Sequence, residues 1–347
     1  MAWNVTALAA KVGKTLGLRR RWRDASAVAR SMRLVERSSA GLGSAAIVRA
    51  YERALASLAE EERFRLTKAM VDLDADGKAV TQRALASGAP ADAVIALARA
   101  WPDLLPVERS LALGPVSSAT PGPVTIAGVP ARQVDATTCG AAAMAIMLMI
   151  GDPFVGLWVA SGRTFAHYRP PEIARIEGRA WLTEPVQRWE ALQRSIHVDT
   201  VRHGFLLLVP WPRTLGTPPW RVDNRTRFAG LRFQGAIVDD TDTADLDALI
   251  SHATAAISDG IPVPLYASGD SSRGLDTVVP RHVVLLTHRI AGGFLAYEPG
   301  SARLHVITDA QLHDGGEGLK ALGNWSHVSW MILPQAKKPW NPTKGTP

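Results

Sequence analysis

Apolar positions recur at three- and four-residue spacing through the first third of the chain, most clearly over residues 45–66 and 91–100. Ala, Leu, Arg and Glu dominate there, so the pattern predicts a helical region over residues 1–112. Trp101-Pro102 breaks it, and the Pro/Gly/Ser-rich stretch 113–127 reads as a linker. Beyond residue 128 the period changes. An all-apolar run after Cys139 predicts a helix to about Ile150, and a second helix is expected over 245–258, with Asp at its start and Asp259-Gly260 as its stop. Short runs at 205–209, 263–267, 282–287, 294–297, 304–308 and 327–333 read as strands. Residues 336–347 are polar and predict a disordered tail. Helices first and strands afterwards predict an α+β fold, not an alternating βαβ one.

Composition narrows the class. The chain has 347 residues, of which 47% are hydrophobic and 20% charged, enough to bury a sizeable core. No apolar run approaches the roughly 18–20 residues of a membrane helix, and the N-terminus lacks the pattern of a secretory signal. With a single cysteine, the cytoplasm is the expected compartment. The net charge of +7 resides in the first forty residues, where nine basic groups face only Asp24 and Glu36. Basic residues 11–37 could meet an anionic membrane surface or a protein partner. The formally neutral remainder argues against dedicated nucleic-acid binding.

Two motif-like stretches lead nowhere. Gly13-Lys14-Thr15 resembles the end of a phosphate-binding loop, but Leu8 occupies the position of its first glycine. Asp72, Asp74 and Asp76 before Gly77 resemble a calcium loop, but its twelfth position is Arg83 instead of a bidentate Glu; an acidic turn between two helices is the reading. The nine histidines form no metal-ligand spacing, and neither a metal nor a cofactor is expected.

The lone cysteine carries the chemistry. Cys139 stands at the start of the apolar helix, where unpaired N–H groups and the helix dipole favour the thiolate. A cysteine nucleophile needs a base and a group that orients it. His282 and His288 flank one apolar run, and the strand ending in Glu298 runs back after a turn near 290–292. Opposed residues in such a hairpin sum to about 580–584, which places His282 opposite 298–302 and Glu298 within reach of it. His288 falls near the turn, so His282 is the preferred base.

These residues resemble the C39-like cysteine peptidases of the papain-like fold, over about residues 128–335. Gln133 precedes Cys139-Gly140 by six positions, His282 heads an apolar strand, and Glu298-Pro299-Gly300 stands where that family usually has Asp-Pro. Asp259-Gly260-Ile261-Pro262-Val263 matches the approach to the histidine strand. Arg281 stands where the family often has Gly. The resemblance implies a central helix on an antiparallel sheet, Cys139 as nucleophile, His282 as general base and then acid, and Glu298 as orienter. It implies that the Gln133 amide and the Cys139 N–H stabilise the oxyanion. The expected activity is hydrolysis or acyl transfer at peptide or amide bonds through a thioester, on a peptide or protein substrate. The alternative is an inactive papain-like domain that binds a peptide or protein partner. Arg163, Arg169, Arg175 and Arg179, with Trp158, Trp181 and Trp189, either line a cleft or serve as surface and core residues.

Overall fold

The computed structural model describes residues 5–15, 45–201, 217–219, 222, 227–274, 277–314 and 316–335. Most of the basic segment, the 205–209 run and the C-terminal tail therefore lie outside the described residues.

The first part of the chain is helical. It comprises α1 (Val5–Thr15), α2 (Ala45–Ser57), α3 (Glu60–Met70), α4 (Ala75–Ala86), α5 (Ala91–Ala100) and α6 (Pro106–Leu113). Gly13, Lys14 and Thr15 lie inside α1, not in a loop. Asp74 caps α4, accepting from the Gly77 N–H at 2.6 Å and from Trp101 Nε1 at 2.9 Å. The acidic turn thus serves a helix start, as its missing twelfth-position carboxylate implies.

Then come three short strands, β1 (Gly122–Pro123), β2 (Thr125–Ile126) and β3 (Val129–Pro130). Five helices follow: α7 (Cys139–Gly151), α8 (Pro153–Ser161), α9 (Pro171–Ala174), α10 (Pro185–Val201) and, after β4 (Arg232–Ile237), α11 (Thr243–Ser258). The rest is β5 (Val263–Ser268), β6 (His282–Ile290), β7 (Gly293–Glu298), β8 (Arg303–Thr308), the short α12 (Asp309–Asp314) and β9 (His327–Gln335).

This is an α+β architecture around one antiparallel sheet in the order β1-β8-β7-β6-β5-β9-β4. All five strand-like runs from Val263 onward pair in it. β5, β6 and β7 are central, and every residue of β5 and β7 is buried, which is why they read as continuous apolar runs instead of alternating ones. Helix α7 is apolar on all sides, and every residue in it except Ile150 is buried. A helix of that kind belongs in the interior, and α7 lies against β6 with α8 and α10 beside it.

The helical first part joins this body. Ala46, Ile47 and Leu111 share a buried cluster with the residues of α7 and the sheet. Leu66, Val80, Leu97 and Trp101 share a second one with Phe154 and Leu157 of α8. Arg83, half-buried in α4, donates to the carbonyls of Ala112, Leu113 and Ile150 at 2.6, 2.9 and 3.0 Å, so one guanidinium closes the C-terminal ends of both α6 and α7. The 113–127 stretch, linker-like in composition, lies on the body: Val116, Val124 and Ile126 are buried, and β1 pairs with β8. Among the described residues no single helix is long and apolar enough to cross a membrane; α7 and α8 together approach that length but meet at 111°.

Candidate active site

The site is assembled from the start of α7 and the open end of the β6–β7 hairpin. Ile290 pairs with Gly293 at the turn and Leu285 with Tyr297 further up, with a register shift between Leu286 and His288. The pairing sum at the open end falls within the range expected from the turn position. It brings Glu298 diagonally beside His282, and His282 Nε2 lies 2.7 Å from Glu298 Oε1. His288 pairs with Leu295 and bonds its neighbour Thr287, away from Glu298.

Glu298 does more than hold the imidazole. Its Oε1 also accepts from the Gly300 N–H at 2.8 Å, and its Oε2 from the Ser301 N–H at 2.7 Å. The carboxylate curls back over the turn that follows β7, and its extra methylene relative to Asp allows that reach. Burial acts to raise its pKa, but the bonds from His282, Ser301 and Gly300 outweigh burial and hold it down at about 2.

Cys139 lies near enough to His282 to favour its charged form, as Glu298 does. With Nε2 on the carboxylate, Nδ1 is the nitrogen left for the thiol. Burial alone would lower the imidazole pKa; the nearby Cys139 and Glu298 push it to about 9 instead. On the other side of the ring lies Gly323, with φ of 65°; a Cβ there would come within 2.5 Å of His282 Cδ2 and 2.6 Å of Nε2. Only glycine suits that position, because both the left-handed backbone and the ring exclude a side chain.

The loop leading to Cys139 is tied to the same hairpin. The Gln133 N–H donates to the Pro299 carbonyl at 2.9 Å, and Tyr297 Oη donates to the Ala131 carbonyl. From α10, Trp189 Nε1 and Gln193 Nε2 both donate to the Arg132 carbonyl, and Gln193 Oε1 accepts from the Val134 N–H. Nothing in the sequence singles out Gln193 or Tyr297, because each acts on a carbonyl or N–H remote in the chain.

Gln133 is thus brought beside the Glu298 turn. Its side-chain Nε2, however, donates to the Asp135 carbonyl at 2.8 Å, and its Oε1 is buried without a partner. Thr138, the residue before α7, likewise turns its hydroxyl to Asp135 and caps nothing. The first intrahelical bond runs from Ala142 to Thr138 O, so the N–H groups of Cys139, Gly140 and Ala141 open the helix without helical partners.

Cys139 is 3% and His282 9% exposed. Thr217, from a segment far away in sequence, packs on the residue after Cys139: its side chain rests so tightly on Gly140 that a Cβ there would lie 2.7 Å from Thr217 Cβ. Cavities of about 430 and about 550 Å³ open elsewhere, beside Glu172–Arg227 and beside His288, and Cys139 lines neither.

The arginine and tryptophan set does not converge here. Trp158 and Trp189 are core residues and Trp181 is 82% exposed. Arg179 donates to the carbonyls of Ile173, Ala174 and Ile176, Arg163 pairs with Glu108, and Arg175 pairs with Asp199. These side chains serve the local structure. No protein-family model and no curated protein matches the chain, and the site is read from its own geometry.

Proposed function

We propose that the chain is a thiol hydrolase of the cysteine-peptidase kind, with a papain-like body similar to the C39-like peptidases, acting on peptide or amide bonds. The observation that supports this reading most is the single imidazole that bonds a buried carboxylate at 2.7 Å and lies beside a helix-start cysteine that raises its pKa. In this mechanism His282 takes the proton of Cys139. The Sγ attacks the carbonyl carbon, and the protonated imidazole then gives its proton to the leaving amine as the thioester forms. Glu298 keeps the ring in one orientation and stabilises its positive charge throughout. Water, deprotonated by the same ring, then cleaves the thioester.

The test is the pH–rate profile of iodoacetamide alkylation, which reads one thiol because the chain has one cysteine. Fast alkylation persisting to about pH 5–6, lost in His282→Ala, is the expected result. Rates that rise only near pH 8–9 in both proteins would reject an activated pair. Cys139→Ala is expected to abolish turnover completely with the fold intact; wild-type turnover in that variant would end the proposal.

The burial of Cys139 favours one second reading: a domain of this kind that binds a peptide or protein partner without cleaving it. That reading predicts the ordinary thiol profile.

A further inference from the structure

The thiol, base and orienter do not complete an acyl-transfer site, because the carbonyl oxygen becomes an oxyanion and needs donors. The helix start supplies one in the Cys139 N–H. A side-chain donor commonly completes such a site, and the Gln133 amide turns one of its N–H hydrogens to the Asp135 carbonyl.

Thr217 meets the requirement. It is 2% exposed, and its Oγ1 is buried with no hydrogen-bond partner. A buried hydroxyl left unpaired costs about 1–3 kcal/mol, so such a group calls for an explanation. Its position supplies one. A Cβ on Gly140 would lie 2.8 Å from Thr217 Oγ1, so the hydroxyl lies against the first turn of α7, on the residue after the nucleophile. The backbone that carries it is fixed, since Tyr266 Oη from the middle of β5 donates to the Thr217 carbonyl at 2.9 Å. The helix start there has no side-chain cap, and the Thr217 hydroxyl lies beside its second residue.

We infer that the Thr217 hydroxyl is an oxyanion donor, completing with the Cys139 N–H the hole in which the tetrahedral intermediate is held. The inference rests on the thiol-hydrolase reading and adds a catalytic residue to it. Thr217 donates its hydroxyl hydrogen to the oxyanion as the Sγ–C bond forms, and keeps that proton when the carbonyl reforms. A glycine at 140 is then required, because any side chain there would occupy the place of the hydroxyl.

Two reagents separate this role from the activation of the thiol. Iodoacetamide alkylates sulfur by direct displacement and builds no oxyanion, whereas p-nitrophenyl acetate acylates through a tetrahedral one. Thr217→Val keeps the shape and removes the hydroxyl; Thr217→Ser keeps the hydroxyl. In the full chain, Thr217→Val is expected to slow acylation by about 10²-fold while alkylation stays within twofold of wild type. Thr217→Ser is expected to restore most of the acylation rate. Acylation of Thr217→Val at the wild-type rate would overturn the inference. An equal loss in both reactions would also overturn it, by making Thr217 a packing residue only. A wild-type thiol with the ordinary alkylation profile would remove the hydrolase reading, and this inference with it.

Discussion

Two imidazoles on one sheet are held by carboxylates, and they are held differently. His282, at the start of β6, has Glu298 on one nitrogen and Cys139 for the other. His327, at the start of β9, has Asp240 Oδ2 on Nδ1 at 2.6 Å and Asp270 Oδ2 on Nε2 at 3.1 Å. Burial acts to lower both pKa values, and the carboxylate bonds raise both. The partners on the second nitrogen make the difference. A thiol can surrender a proton to a ring and receive it back. Two carboxylates, one on each nitrogen, favour the charged form of the His327 ring and leave no nitrogen for traffic. His327 is therefore a clamp: Asp270 follows β5 and also holds Ser272, so the ion pair pins the chain just after β5. Proton transfer requires an imidazole with one committed nitrogen, not two.

Substitutions can break this comparison. The largest expected effect is that of His282→Ala on turnover, a fall of about 10³-fold, as for loss of a general base. His327→Ala should leave the alkylation rate of Cys139 within about threefold. A comparable fall in both variants, measured side by side, would erase the distinction drawn here.

The second effect is on stability. His327→Ala leaves Asp240 and Asp270 facing each other, both nearly buried, and is expected to cost about 3 kcal/mol in urea denaturation. The pH dependence sharpens it. A folded pKa above the unfolded value means that the contribution of His327 is full below about pH 6.5 and lost as pH rises through the folded value. The contribution of His282 is likewise full below about pH 6.5 and lost on passing about pH 9. Glu298 acts at the other end: its contribution is present above its ordinary value of 4.5 and lost as pH falls toward about 2. Wild-type stability should therefore fall at both extremes, and His327→Ala should flatten the alkaline fall only in part. An unchanged alkaline limb would contradict the clamp.

Glu298→Gln comes next. It removes a charge and puts an amide nitrogen against an N–H donor, either at Gly300 or at Ser301. About 2 kcal/mol of stability should go, and the His282 titration seen by NMR should move down from about 9. A His282 pKa that stays put would mean that Glu298 does not set it. The smallest effect serves as a control: Arg194→Ala removes an exposed pair with Glu190 on α10 and should change stability by less than about 0.5 kcal/mol.

Much of the site was legible in the sequence because its parts are local. A helix start is marked by the apolar run after Cys139, and a hairpin fixes which residues face one another once its turn is placed. Distance along the chain hid the rest. Thr217 meets Gly140 from 77 positions away, and His327, Asp240 and Asp270 come from three separate segments. Composition also misled. Helix α10 carries its apolar residues among Arg, Gln, Glu and His, so its period is obscured. The Pro/Gly/Ser content of 113–127 suggests a linker, yet Val116, Val124 and Ile126 are enough to seat it on the body. Gln133 lies at the expected spacing, but spacing says nothing about where an amide points.

Arg83 has a consequence for inheritance. Burial lowers its pKa to about 10, against the pull of Asp152 and Asp76, and its guanidinium is the shared end-piece of a helix from the first part of the chain and of the helix that opens with Cys139. A recombination event that excised the sheet-bearing part as a cassette would carry the Ile150 carbonyl away from its donor. Either part without the other would lose the bonds that Arg83 makes between them.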